Sequence, residues 1–246
     1  MHSDTEELQY LSGFQPVMEA LHQRRRPLYR LLVSRKKGSE DLIKSAGEAG
    51  IQILSVSAEK VGHLAGTAKH QGVVLECGHL PVFSLEEILR YEPPGGKDTL
   101  VLLAGVEDPR NLGAVARTCS FLGVRALVLP SRGAAPLSPS ASRSSAGALE
   151  SLPVAIVKSA PVGCEILSEA GYKVIGLEKG GKPLSEFGEI PLKTSLVIGS
   201  EDRALPPRVR SGCSGIVTIE GEGPTGSLNL SVAAGIAIYH VVKCGK

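Results

Sequence analysis

Short apolar runs alternate with apolar positions at helical spacing along this chain. Within residues 1–80 the helical spacing falls at 16–23, 40–49 and 58–64, and the runs fall at 28–34, 51–56 and 72–77. Runs of this kind predict strands and the spaced sets predict helices, so their alternation predicts packed α/β layers. Residues 81–98 carry Pro93-Pro94-Gly95-Gly96, which breaks both periods and reads as a linker with a helical turn or two near 85–89. From Thr99 the alternation resumes, with strands predicted over 99–104, 126–130, 173–177, 195–199 and 215–219. Helices are predicted over 112–122, 144–150, 163–170 and 228–242. These later runs are apolar throughout, not at every second position, as strands buried on both faces of a parallel sheet require. The pattern therefore divides the chain into a small α/β unit at 1–80, a linker at 81–98 and a larger α/β unit at 99–246.

Composition narrows the picture. The 246 residues are 42% hydrophobic, enough for a sizeable core. No apolar run reaches the roughly eighteen residues of a membrane span, and the acidic, polar first ten residues lack a signal-peptide pattern. Five dispersed cysteines without a CxxC pair suit reduced thiols, so a cytoplasmic location and no metal site are expected. Aromatics are 4% and Trp is absent, which excludes an aromatic platform for stacking single-stranded bases. The formal net charge of +2 does not announce nucleic acid. Charge is nevertheless concentrated locally: Arg24, Arg25, Arg26, Arg30, Arg35, Lys36 and Lys37 fall in a stretch with no acidic residue. Such a cluster is either a solvated surface or a phosphate-binding one.

Three segments carry candidate chemistry. In the first, a strand stops at Gly105, Pro109 stiffens a turn, Asn111 can cap the following helix, and Arg117 lies within two turns of it. In the second, the strand of Leu196-Val197-Ile198 runs into Gly199-Ser200-Glu201, at the carboxyl edge where open α/β sheets bind ligands. In the third, Ile219 enters a loop containing Gly221, Gly223 and Gly226, and the helix beyond opens with Ser227-Leu228-Asn229. The glycines match G-x-G-x-x-G literally. A dinucleotide fold also needs a further strand with an acidic residue about twenty positions on, and the segment after this loop offers only a helix. What remains is a backbone open to a ligand, with polar residues at a helix start.

In this order and spacing, the three segments resemble the motifs of the SpoU/TrmH family of SPOUT-class RNA methyltransferases. Tyr10-Leu11-Ser12-Gly13, His70-Gln71-Gly72-Val73 and Ser145-Ala146-Gly147-Ala148-Leu149-Glu150 extend the likeness to the subgroup that methylates a guanosine 2′-oxygen of large-subunit ribosomal RNA. The resemblance implies an α/β catalytic domain with a deep trefoil knot, preceded by a ribosomal-protein-like RNA-binding domain, and a homodimer with its sites near the subunit interface. It implies S-adenosylmethionine as cofactor, held through Leu177, Glu178, Gly199, Ile219, Leu228 and Asn229, with Lys179 also lining the pocket. Catalytic roles fall on Arg117, Asn111, Glu201, Ser227 and Asn229, and RNA delivery falls on the Arg24 to Lys37 cluster. The chain departs from the family pattern twice. The usual Gly-x-Gly-Leu after the motif glutamate is Asp202-Arg203-Ala204-Leu205, and the usual Pro-Met after Ile219 is Glu220-Gly221.

Methyl transfer from a sulfonium needs an aligned acceptor oxygen and help in removing its proton. Arginine is almost always protonated, so Arg117 is either an assisted base or a donor to phosphate and developing alkoxide. Two other readings remain at this level: a transfer-RNA methyltransferase of the same family, and a non-catalytic RNA-binding ribosome assembly factor. The intact Asn111, Arg117, Glu201 and Asn229 speak against the second.

Overall fold

A computed structural model describes residues 8–35, 37–93, 96–200 and 203–244. Among them the chain forms two compact units, one of residues 8–81 with Leu137–Ser151, the other of Val82–Pro136 with residues 152–244. The linear partition at 1–80, 81–98 and 99–246 did not anticipate that a piece from the middle of the chain belongs with the beginning.

The first unit contains β1 (Gln9–Ser12), α1 (Phe14–Gln23), β2 (Leu28–Val33), α2 (Glu40–Glu48), β3 (Gln52–Ser55), α3 (Ala58–Ala65) and β4 (Val73–Cys77). Its sheet has the order β1-β4-β2-β3, with β4 antiparallel to both neighbours and β2 parallel to β3. Leu11, Leu21, Leu31, Leu42 and Leu75 are fully buried and form its core. At the start of α1, the Gln71 side-chain oxygen accepts from the Phe14 N–H at 2.6 Å. A residue distant in sequence thus caps one of the orphan amides of the first turn.

The middle segment completes this unit. It was expected as one helix over 144–150, but Ala146 at φ 51° and Gly147 at φ 88° break it into α6 (Pro139–Ser144) and α7 (Ala148–Ser151). The break brings α7 against α1. A Cβ at Gly147 would meet the Glu19 side chain at 2.8 Å and the Gln15 carbonyl at 3.1 Å, so only glycine allows both the turn and the approach. Beside it lies the unit's main polar contact. Arg26 is 3% exposed and donates to both carboxylate oxygens of Glu150, to the Gly78 carbonyl at 3.2 Å and to the Gln9 side chain at 3.0 Å. Burial works against the Arg26 charge, but the Glu150 carboxylate outweighs it and holds the guanidinium above its ordinary pKa.

The second unit is built on β5 (Phe83–Ser84), β6 (Asp98–Leu103), β7 (Ala126–Pro130), β8 (Val154–Val157), β9 (Lys173–Pro183), β10 (Lys193–Ile198) and β11 (Gly215–Thr218). All pairings are parallel, in the order β11-β9-β10-β6-β7-β8-β5. Helices α4 (Leu85–Leu89), α5 (Pro109–Leu122), α8 (Ala160–Glu169), α9 (Pro207–Ser211) and α10 (Leu230–Cys244) accompany the sheet. Every residue of β6 and β7 is buried, as the unbroken apolar runs predicted. The stretch read as a linker contributes β5, paired with β8, and α4, closed by a capping box between Ser84 and Glu87. Cys77, Cys119, Cys164 and Cys213 are free thiols, and no helix of the described residues is long and apolar enough to cross a membrane.

Removing the carboxylate of Glu150 leaves the buried Arg26 charge without its counter-ion. Glu150→Gln is expected to destabilise the first unit by about 3–5 kcal/mol in urea unfolding, whereas Arg26→Met with Glu150→Leu recovers most of that loss. An unchanged unfolding midpoint in Glu150→Gln would show that the pair does not support the unit.

Candidate active site

The site begins with an interruption in β9. This strand pairs with β10 up to Leu177 opposite Ile198, and with β11 at Ile175 and Gly176. The β11 ladder then jumps to Lys182 and Pro183, leaving residues 177–181 outside it. The return is tight, since a Cβ at Gly181 would stand 2.7 Å from the Ile216 carbonyl oxygen. The displaced residues project at the carboxyl end of the sheet, where parallel α/β sheets bind ligands.

Around them opens a cavity of about 960 Å³. One wall is Leu177 to Gly180 from the displaced turn of β9, and the second is Ile198, Gly199 and Ser200 at the end of β10, continued by Arg203, Ala204 and Leu205. The third runs from Thr218 and Ile219 through the glycine-rich loop to Ser227 and Leu228, and Leu230, Ala233 and Ile236 of α10 close the floor. A Cβ at Gly221, Gly223 or Gly226 would meet nothing within 4 Å, so this loop offers bare backbone to open space. Gly199 is the opposite case: a Cβ there would meet Leu205 at 3.0 Å, and glycine lets the second wall fold back on the strand end.

Glu178 fastens that wall. Its carboxylate accepts from the Leu205 N–H at 2.9 Å and pairs with Arg210 of α9. Both oxygens are engaged within the protein, so Glu178 shapes the cavity from behind. The volume and lining suit a nucleoside-sized ligand with a polar tail, because ligand pockets of this class combine apolar walls with a few polar groups.

Of the residues singled out in the sequence, Leu177, Glu178, Gly199, Ile219, Ser227 and Leu228 line this one cavity. Asn229 does not: its side-chain oxygen accepts from the Ser231 N–H at 2.9 Å and from the Ser231 hydroxyl at 2.7 Å, which caps α10. Asn111 was expected to cap α5, but Asp108 does so, accepting from the Arg110 N–H at 2.8 Å with Pro109 in the first helical position. The Arg110 side chain holds the Asp108 carboxyl below the usual carboxylate range. Arg117 is exposed on α5 and is not among the cavity-lining residues. Glu201 lies outside the described residues. Arg203 and Lys179, both on the cavity, received no catalytic or RNA role from the sequence; a cation shortly after a strand-end glycine was the signal for Arg203.

The basic cluster of the first unit is smaller than its sequence. Arg26 is buried and paired, so it leaves the RNA-facing set. Arg25 is half-buried, with burial lowering its pKa, and donates to the Glu150 carbonyl at 3.4 Å. Arg30 is paired with Glu76, and Lys36 lies outside the described residues. Arg24, Arg35 and Lys37 are exposed and have no ion-pair partner among the described residues.

Comparison with known proteins decides the family. The model of the SpoU rRNA Methylase family matches residues 98–239. The chain belongs to this family. Residues 10–81 match the RNA 2′-O ribose methyltransferase substrate-binding model. This SpoU-family chain is 32% identical to an uncharacterized tRNA/rRNA methyltransferase of Mycolicibacterium gilvum over 98% of its own length and 78% of the relative's. It is 31% identical to a TrmH family tRNA/rRNA methyltransferase of Bacillus subtilis over 95% of each chain. Among solved structures, the SpoU methyltransferase AviRb from Streptomyces viridochromogenes in complex with the cofactor AdoMet aligns with TM-score 0.78 and 25% identity, covering 96% of this chain and 90% of that one.

If Glu178 holds the second wall, Glu178→Ala should speed hydrogen exchange of the Leu205 amide roughly tenfold. Glu178→Gln keeps an acceptor for that amide and should slow exchange back toward the wild-type rate. Equal rates in all three proteins would detach the wall from Glu178.

Proposed function

We propose that this chain methylates a ribose 2′-hydroxyl of ribosomal RNA, at a guanosine of the large subunit, as a cytoplasmic homodimer with a trefoil-knotted catalytic domain. Family membership carries the coarser statement alone: this is an S-adenosylmethionine-dependent RNA 2′-O-methyltransferase. The observation that supports a cofactor site is the cavity, because the second and third motif segments both line it at the carboxyl ends of β9, β10 and β11. The substrate-binding match over residues 10–81 and the Ser145 to Glu150 segment packed into that same unit support a structured RNA of ribosomal type.

Bound in the cavity, S-adenosylmethionine supplies an electrophilic methyl group on a sulfonium. Gly199, Ile219 and Leu228 hold it largely through backbone, as the open glycine loop and the exposed strand ends allow. Ser227 stands on the cavity at the entrance to α10 and orients the loop or the ribose. Arg117 aligns ribose and phosphate and stabilises the developing alkoxide. A planar forked donor suits that task better than a point charge. Asn229 acts through α10, which it caps, and Asn111, in the first turn of α5, faces the substrate from the helix that carries Arg117.

Arg117 reaches a cavity by way of the dimer. Phe121 stands one turn beyond it on α5 and is 88% exposed. On α10, which packs against α5 where Gly235 meets Thr118, Val232, Ile236 and Tyr239 are also exposed. Apolar surface of this extent rarely faces water on a soluble monomer. Ile236 also lines the cavity, so a two-fold partner seated on this face brings its own α5 beside the cavity mouth.

Three measurements follow. Ribose-methylation mapping of total RNA from a strain lacking the gene should show loss of one modified guanosine in large-subunit ribosomal RNA. Loss at a transfer-RNA position instead would transfer the enzyme to the other substrate class, and no loss anywhere would refute the reading. Arg117→Ala should cost on the order of a hundred- to a thousandfold in single-turnover rate. Mixing it with a Gly199→Val chain, inactive by its blocked cavity, should restore activity in mixed dimers; no restoration would mean that Arg117 serves its own chain. Replacing Arg24, Arg35 and Lys37 by Ala should weaken RNA binding and flatten its salt dependence, because fewer counter-ions are released. An unchanged slope would return these residues to the solvated surface.

A further inference from the structure

Three charged side chains on the cavity, Lys179, Arg203 and Glu220, are not used by the account above, and two of them matter here. Arg203 stands on the second wall and Glu220 at the start of the third. Both are exposed, they are opposite in sign, and neither has an ion-pair partner among the described residues, the other included. The remaining acidic group of the described lining, Glu178, is already taken by Leu205 and Arg210. Arg203 is also well anchored. The Ser200 hydroxyl donates to its carbonyl at 3.5 Å, and two residues on the Leu205 N–H is tied to Glu178. Arg203, held by bonds before and after it, carries a guanidinium on the cavity lining, and the loop after β11 carries a carboxylate on the same lining.

A cavity whose described lining presents unpaired cations, Arg203 and Lys179, and one unpaired anion, Glu220, is complementary to a zwitterion, and of the two cations only the guanidinium of Arg203 offers a fork matched to a carboxylate. The methyl donor's nucleoside end is neutral, whereas its amino-acid end carries a carboxylate and an ammonium on one carbon. We propose that Arg203 and Glu220 form a side-chain clamp for that amino-acid end, Arg203 receiving the carboxylate and Glu220 the ammonium. The inference rests on the cofactor reading of the cavity. Guanidinium matches carboxylate through two parallel N–H donors, and such charge-assisted bonds are among the stronger ones available. The clamp assigns a binding role to two positions at which this chain places charge where the family pattern does not require it.

The test compares two ligands of full-length protein by calorimetry. S-adenosylhomocysteine has the amino-acid tail, and 5′-methylthioadenosine keeps the nucleoside and thioether without it. Arg203→Ala and Glu220→Gln should each weaken S-adenosylhomocysteine roughly ten- to a hundredfold and leave 5′-methylthioadenosine within about twofold, which also reports that the cavity is intact. Arg203→Lys should fall between wild type and Arg203→Ala. Equal losses for both ligands, or no loss for either, would overturn the clamp, as would an Arg203→Ala protein that loses RNA affinity while binding S-adenosylhomocysteine normally. Wild-type protein that binds neither ligand would instead overturn the cofactor reading, and the clamp with it.

Discussion

Between Gly176 and Lys182, β9 satisfies two neighbours in different registers. It runs with β10 to the end of that strand and then resumes its ladder with β11 only after five residues have been displaced. Backbone groups in a parallel sheet must be paired or solvated, so the displaced turn can exist only at an open edge. That requirement creates the cavity. It places Glu178 where it can reach both the Leu205 amide and Arg210, and it leaves the glycine-rich loop after β11 facing a space instead of a strand. The pairing of β9 thus sets the cavity, and its walls use what that pairing leaves.

Sequence made the sheet legible where strands are buried on both faces. The runs at 99–104 and 126–130 lie within a residue of β6 and β7, because unbroken burial writes unbroken apolarity. It concealed elements whose reason lies elsewhere in the chain. β5 has two residues and exists only because β8 accepts it, and β8 itself is four residues behind a Ser-, Ala- and Pro-rich stretch. The second half of β9, Lys-Gly-Gly-Lys-Pro, carries no apolar signal at all, and it becomes a strand because β11 pairs with it.

The same distinction divides the site. Gly199, Ile219 and Leu228 were legible because a strand running into glycine or a polar loop marks a carboxyl edge. Hydrogen-bond partners were not. Asn229 and Asn111 each have the composition of a helix cap, yet one caps its helix and the other is displaced by Asp108, and only the dihedral angles before Pro109 decide between them. Arg26 sits in a run of three arginines that look equivalent in sequence. Their fates differ because Glu150 reaches one of them, and a residue 124 positions away leaves no local trace.

That separation bears on synthesis. A nascent chain emerges from its amino end, and domains ordinarily fold as soon as they are complete. Here Arg26 has been made long before Glu150, and every strand of the β6–β7 pair lies between them. The first unit's four-stranded sheet is available early, but its buried cation must wait, solvated or partnered by something else, until translation has passed residue 150. The amino-terminal unit is therefore finished late, in the same interval in which the catalytic sheet is being laid down, and the two parts of this enzyme mature together instead of one after the other.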